Sequence, residues 1–363
     1  MEIDYIKGIR TTTMSGISKY QREIHKRLES TKLNIIDYTP LKIRVRGSGV
    51  IDRMIRYPYL VRKRVEKGNV KHIISQDLAY LLVLLKLENT IVTCYDLIHW
   101  VYDNDHSLGW KMNLRGMKRA NAIITCAEYS RNDIMRYTYY PEDKIHVVYP
   151  GVDHNLYYPR KSKEILRTYG ISDTHKVVLY VGSEQPRQNV PLLIEAFSKL
   201  VKILPDVKLL KIGRPQWTGA RENLMKLIES SDLQRDVLFI DNISEDDLPK
   251  WYNAADLYVY PGLYAGLSMP CLEALACGIP VISCPISIAM EEISSLPEDV
   301  GDAAMLVNPY DTNQLAEAMY EVLTNDSMGE DMRRRGLERV KKLSWEKAAI
   351  ETLEVYEKVY GGY

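Results

Sequence analysis

Short apolar runs alternate along this chain with segments whose apolar residues recur every three or four positions. The runs predict strands at Glu2–Ile9, Asn34–Tyr38, Val70–Ser75, Thr90–Thr93 and Ala122–Thr125, with strand and turn over Lys144–Gly151. A second series follows at Val177–Val181, Lys208–Ile212, Val237–Ile240, Asp256–Tyr260, Val281–Ser283 and Met305–Val307. Between them, Ile17, Tyr20, Ile24 and Leu28 stand at helical spacing, and Leu192–Leu200 predicts another helix. Strand alternating with helix is the signature of an α/β chain built on parallel sheets. The period fails around Pro159–Lys163, where prolines and charges take over, so a linker is expected there.

Composition supports two domains of ordinary size. The chain has 363 residues, 46% of them hydrophobic, which argues for real cores and against disorder. Lys plus Arg and Asp plus Glu are equal at 48 each, so no overall charge points to nucleic acid. Their distribution is uneven: residues 1–71 hold 17 Lys/Arg against 7 Asp/Glu, and residues 42–71 hold ten basic residues against Asp52 and Glu66. Ile43, Val45, Val50, Ile51, Met54, Ile55, Tyr57, Tyr59, Leu60 and Val61 are interleaved with those charges. Two readings stay open for this stretch: a solvated helical face, or a basic amphipathic surface for an anionic membrane. No apolar run approaches the ~18 residues of a membrane span, and MEIDYIKGIR has no apolar signal core. Five cysteines without metal-type spacing suggest a reduced, cytoplasmic protein. No acidic cluster has convincing metal-ligand spacing, and no Gly-x-Gly-x-x-Gly follows the first strand, which speaks against a dinucleotide-dependent oxidoreductase.

The chemistry concentrates between Asp256 and Ser283. The strand DLYVY is broken by Pro261-Gly262, then Leu272, Leu275 and Ala276 stand at helical spacing until Gly278 and Pro280 stop the helix. Strand, glycine-containing loop, helix, strand is one βαβ unit, and such sheets bind ligands outside the carboxyl ends of their strands. Glu273 lies in the helix's first turn by this reading. It either serves the helix dipole or accepts two hydroxyls from a ribose.

The stretch resembles the signature of retaining glycosyltransferases of family 4. Pro261, Gly266, Pro270, Glu273, Ala274, Ala276, Cys277, Gly278, Pro280, Val281 and Ile282 all match at the right spacing. Ser15-Gly16-Ile17-Ser18-Lys19-Tyr20 resembles the family's glycine loop, Gly182-Ser183-Glu184-Gln185-Pro186-Arg187-Gln188-Asn189 its phosphate-gripping loop, and Asp96-Leu97 the end of its His-Asp-Leu. The resemblance runs from about Gly16 to Tyr356, dense in the C-terminal half and thin between residues 40 and 70. It implies the GT-B fold: two Rossmann-like doubly wound domains facing a central cleft, 1–160 for the acceptor and 161–344 for the nucleotide sugar. A last helix within 345–363 would cross back onto the first domain.

By the same resemblance Arg187 holds the donor diphosphate and Glu273 the ribose. Gly16, Ile17, Ser183, Gln188, Arg214, Ile243, Gly266, Leu267, Ser268 and Leu272 would border the donor, and Asp96 and Tyr95 the reacting sugar. Three positions depart from the family together: Tyr95 replaces the His, Gln188 the Lys, and Ala265 the first Glu. His99, three residues beyond Asp96, could compensate for the first. The implied activity is metal-independent, retaining transfer of a hexose from a UDP- or GDP-sugar to a hydroxyl of a carbohydrate, glycolipid or glycoprotein acceptor, with no resident cofactor. The alternative is a catalytically weak nucleotide-sugar binder of the same fold.

Overall fold

The computed structural model describes residues 1–9, 16–28, 31–38, 48–160, 162–264, 268–284 and 300–362. The chain divides into two compact units, Met1–Gly151 with Trp345–Tyr363, and Val152–Ser344.

The first unit is built on a six-stranded parallel sheet: β1 (Glu2–Ile9), β2 (Lys32–Tyr38), β3 (Val70–Ile73), β4 (Thr90–Cys94), β5 (Ala122–Thr125) and β6 (Ile145–Val147). The spatial order is β2-β1-β3-β4-β5-β6, every pair parallel. β3, β4 and β5 are buried at every residue, as expected of interior strands covered on both faces. β4 and β5 therefore show no alternation to read, and β3 buries Lys71 and His72 between Val70 and Ile73. β3 and β6 end earlier than their apolar runs suggest, because Gln76–Leu78 turns into a 3₁₀ helix capped by the Ser75 side chain, and the chain leaves the sheet after Val147.

The helix Gly16–Arg27 buries Tyr20 and Ile24. The final helix, Trp345–Gly361, belongs to this unit. It is anchored by Trp345, edge-on to the Tyr20 ring at 5.7 Å, and by the Tyr356 hydroxyl, 2.7 Å from His72 Nδ1.

Residues 48–64 of the basic stretch are helical throughout. A π-turn, Asp52–Arg56, separates the helical turns Ser48–Ile51 and Tyr57–Arg64. Asp52 explains the irregularity: buried, it accepts a hydrogen bond from the Tyr38 hydroxyl at 2.5 Å and pairs with Arg56. Turning that carboxylate inward leaves Val50, Ile51, Ile55 and Tyr59 outside, 67%, 61%, 65% and 63% exposed. Residues 42–47 lie outside the described residues.

The second unit carries β7 (Lys176–Val181), β8 (Val207–Ile212), β9 (Val237–Ile240), β10 (Leu257–Tyr260), β11 (Val281–Ser283) and β12 (Ala304–Leu306). Its order is β12-β11-β10-β7-β8-β9, again all parallel. Counted from β7, that is the 3-2-1-4-5-6 order of a doubly wound sheet. Its core joins the strands to the Val190–Ile203 helix through Leu193, Ile194, Phe197 and Leu200. Tyr158 and Arg160 are tied to this unit by Asn253, whose amide donates to the Tyr158 carbonyl at 3.1 Å and whose Oδ1 accepts from the Arg160 backbone N–H. The five cysteines are buried and form no disulfide.

Candidate functional site

In a doubly wound sheet the strand order reverses where two adjacent strands send their connections to opposite faces, and ligands settle in the crevice that opens there. In the second unit that point lies between β7 and β10. Both strands end the same way. Tyr180 precedes Gly182 by two residues, as Tyr260 precedes Gly262. A Cβ at Gly182 would lie 2.5 Å from the Tyr180 hydroxyl oxygen, and one at Gly262 2.5 Å from the Tyr260 ring. Each loop turns back over its own strand-end tyrosine only because glycine follows.

Arg187 lies in the 3₁₀ turn Pro186–Gln188 after β7. Its Nε donates to Gln185 Oε1 at 3.0 Å and its Nη1 to the Tyr264 carbonyl at 3.3 Å. Its own carbonyl accepts from the Leu263 N–H at 2.7 Å. The residue therefore stitches the loop after β7 to the loop after β10. Among the described residues no carboxylate pairs with its guanidinium, so a half-buried positive charge stands unneutralised at the switch point. Gln188 is buried, and its Oε1 lies 3.2 Å from the Tyr180 hydroxyl, which also donates to the half-buried Ser183 carbonyl at 2.9 Å.

The helix after β10 runs Met269–Ala276, with Ser268 at its N-cap and Pro270 in its first turn. Gly278, at φ +69°, ends it. Ser268, Leu272 and Glu273 are all buried. Glu273 is only 5% exposed and its Oε2 accepts from the Tyr252 hydroxyl at 2.9 Å. Ala265, Gly266 and Leu267 lie outside the described residues.

A charge cluster flanks this crevice on the β8 and β9 side, and sequence reasoning missed it. Lys211 Nζ sits 2.6 Å from Glu184 Oε1, with both side chains almost wholly buried. Arg221 donates to the same Glu184 oxygen at 2.8 Å and to Asp241 Oδ1 at 3.0 Å, and lies 4.2 Å over the Phe239 ring. Burial pushes the Lys211 ammonium below its usual range, against the pull of Glu184. The available signal was a lysine inside the apolar run Lys208–Ile212, where a fully covered strand has no solvent to offer it. Arg214 is exposed and donates to Asn242 Oδ1 instead. Ile243, half-buried, packs on the core just beyond.

The first unit places its candidates differently. Asp96 is half-buried at the end of β4, and its Oδ1 accepts from the Ile98 N–H at 3.1 Å. Tyr95 is buried, its ring edge-on to Tyr20 at 5.5 Å and its backbone N–H donating to Gln76 Oε1 at 3.3 Å. His99 is exposed and pairs with Asp103 at 2.6 Å. Gly16 and Ile17, both exposed, open the helix Gly16–Arg27. Among the described residues no three His, Cys, Asp or Glu side chains group as a metal site, and no helix is long and apolar enough to cross a membrane.

Comparison with known proteins now bears on this arrangement. The family described as "Glycosyl transferases group 1" matches residues 161–339, and "Glycosyltransferase Family 4" matches residues 23–156. O-antigen chain mannosyltransferase B of Escherichia coli is 29% identical over 284 residues, which cover 75% of this chain and 71% of that protein. Serotype-specific mannosyltransferase WbdA of Escherichia coli is 26% identical over 281 residues, 74% of this chain but only 33% of that protein. MMP alpha-(1->4)-mannosyltransferase of Mycolicibacterium hassiacum is 27% identical over 255 residues, 68% of this chain and 56% of its own length. Among solved structures, sucrose-phosphate synthase from Thermosynechococcus elongatus superposes with a TM-score of 0.79 at 19% identity, all of both chains covered. Anabaena HepE in complex with UDP-glucose gives 0.76 at 15%, covering 98% of this chain and 99% of that one.

Proposed function

We propose that this chain, which belongs to the group 1 glycosyltransferases of family 4, moves a hexose from a nucleoside-diphosphate sugar to a hydroxyl acceptor with retention and without a metal ion. Sugar transfer itself follows from the family; the donor, the stereochemistry and the acceptor are our reading. One observation carries it: an Arg187 guanidinium at the switch point, fixed by two loops and, among the described residues, paired with no carboxylate. A diphosphate is the ligand whose charge such a group completes, and the fork of an arginine suits its oxygens.

In the reaction the bond between the anomeric carbon and the β-phosphate oxygen breaks, and a bond from that carbon to the acceptor oxygen forms. The nucleoside diphosphate departs, and the acceptor's proton passes to it. Arg187 and backbone N–H groups of the adjoining loops stabilise the negative charge that grows on the leaving group. Glu273 holds the ribose hydroxyls, while Ser183, Gln188, Arg214, Ile243, Ser268 and Leu272 border the donor. The base is that of a UDP- or GDP-sugar: HepE is described with UDP-glucose. Mannose is the favoured hexose, since relatives matched over about three quarters of this chain are named mannosyltransferases.

We also assign the exposed apolar residues Val50, Ile51, Ile55 and Tyr59, beside Arg53, Arg62, Lys63 and Arg64, to reversible docking on an anionic membrane that carries a lipid-linked or glycolipid acceptor. Two measurements test the reading. Thermal melting against a panel of UDP- and GDP-hexoses should raise Tm for one donor by mass action; no stabilisation by any of them would remove the donor site. Sedimentation with anionic vesicles should fall with salt and with neutralisation of Arg62, Lys63 and Arg64. Equal recovery in the supernatant with anionic and neutral vesicles at low salt would end the membrane assignment and point to a water-soluble acceptor.

A further inference from the structure

Glu273 is a carboxylate taken almost entirely out of water, and two phenols close on it. Tyr252, from the helix Leu248–Ala254, donates to its Oε2 at 2.9 Å. Tyr157, from the turn that follows Val152, also reaches it with a side-chain hydrogen bond. The two rings stand edge to face at 6.0 Å, and both are fully buried. Tyr157 is itself fixed by its own backbone, whose N–H donates to the Asp153 carbonyl at 2.8 Å. The glutamate is thus gripped from two separate elements, both of which precede it in sequence.

We propose that Tyr157 and Tyr252 are positioning residues which set the rotamer of Glu273 so that its remaining lone pairs face the two ribose hydroxyls of the donor nucleotide. This rests on the reading of Glu273 as the ribose contact. A carboxylate offers about four lone-pair sites, and two phenols occupy two of them. The hydrogen bonds are of the charge-assisted kind, with O–H as donor and carboxylate as acceptor. Burial raises both tyrosines well above the ordinary phenol range, with the Glu273 charge adding to it, so each keeps the proton it must donate. A free glutamate would lose rotamer freedom on binding a diol, and here that loss is already made in the folded protein. Two hydroxyls on adjacent ribose carbons need both carboxylate oxygens held in one plane, which a single anchor would leave free to turn.

A purely structural role predicts something different: lost stability with the ribose preference intact. Calorimetry with UDP and GDP and with their 2′-deoxy and 3′-deoxy counterparts separates the two. Wild type should prefer the ribonucleotide, and Glu273→Gln should abolish that preference. Tyr252→Phe and Tyr157→Phe should each reduce it by about 3- to 10-fold, the loss of part of a charged hydrogen bond, while affinity for the deoxynucleotides stays within about twofold of wild type. If both Phe variants keep the full preference while Glu273→Gln loses it, the positioning role is wrong and the ribose contact stands. If wild type binds ribo- and deoxynucleotides alike, or Glu273→Gln keeps the preference, the ribose contact itself falls and this inference with it. The two variants act from different elements, so a folding defect in one leaves the other to decide.

Discussion

The two sheets have the same number of strands, the same parallel pairing and the same tyrosine-rich cores, yet they treat their polar groups in opposite ways. At the strand ends of the second unit Arg187 has, among the described residues, no carboxylate partner: it is held by amide and carbonyl oxygens, neither of which neutralises it. In the first unit the corresponding groups are spent internally. Tyr95 is buried edge-on against Tyr20, Asp96 caps the N–H of Ile98, and His72 is closed between the Tyr356 and Thr93 hydroxyls at 2.7 Å each. One sheet keeps a cation without a described carboxylate partner at its strand ends; the other uses its polar side chains to fasten its last helix. The lesson is that a shared fold does not place the chemistry, and only the pairing state of each group does.

Within the second unit a sharper contrast exists. Among the described residues Arg187 has no carboxylate partner, whereas Lys211 and Arg221 are consumed by Glu184 and Asp241. Breaking that cluster should give the largest effect of any single change. Lys211→Met leaves Glu184 buried with Arg221 as its remaining partner, and removing one member of a buried pair costs about 3–5 kcal/mol. We expect a value near the lower end, read as a shift in the urea midpoint. Lys211→Met combined with Glu184→Leu should recover part of it. Should the single variant unfold at the wild-type midpoint, the cluster contributes nothing to folding and its burial has another cause.

Next in size is Arg187→Ala. Removing a charged donor should weaken binding of the nucleoside diphosphate by about 1.5–3 kcal/mol, measured by calorimetry, with a urea midpoint close to wild type because no ion pair is lost. Stability and binding thus separate in opposite directions for Arg187 and Lys211. A variant of Arg187 that binds with unchanged affinity would erase the contrast between the free cation and the paired ones.

How far these differences were legible in the sequence depends on the range of the contact involved. Parallel α/β sheets, most strands and the Gly278 helix stop were readable from local pattern, because each rests on neighbours along the chain. Arg187 and Glu273 were singled out through a motif, which is local as well. Lys211 with Glu184, and Tyr157 with Tyr252, were invisible: their partners lie 27 and 95 residues apart by number, and nothing in either segment names the other. Tyr95 shows the converse. A substitution in a motif drew attention to a site role, while the side chain packs edge-on against Tyr20, whose own ring meets Trp345 of the final helix, a contact set by the chain's far end. The π-turn at Asp52–Arg56 was unreadable for the same reason, since it answers to Tyr38 on another element.

The smallest effect tests the first unit's side of the comparison. His72 is buried, and the described groups that close on it are Tyr356, Thr93 and the Tyr5 ring, none of them a carboxylate. Burial pushes its imidazole from the ordinary 6.5 down to about 3. The unfolded chain therefore takes up a proton near pH 6.5 that the folded chain refuses until about pH 3. Protons bind U in preference to N across that window, so stability falls as pH is lowered through it and is unaffected above it. Between pH 7.5 and 5.5 the contribution is about 1.4 kcal/mol for one such group. His72→Gln keeps hydrogen-bonding capacity without titrating there. Its own stability is expected to be lower at pH 7.5, since the ring's packing on Tyr5 and Tyr356 is lost, but its decline towards pH 5.5 should be shallower than wild type by about that same 1.4 kcal/mol. Parallel decline in the two proteins would mean that His72 takes up its proton without unfolding, and that the hydroxyls around it can turn to accept one.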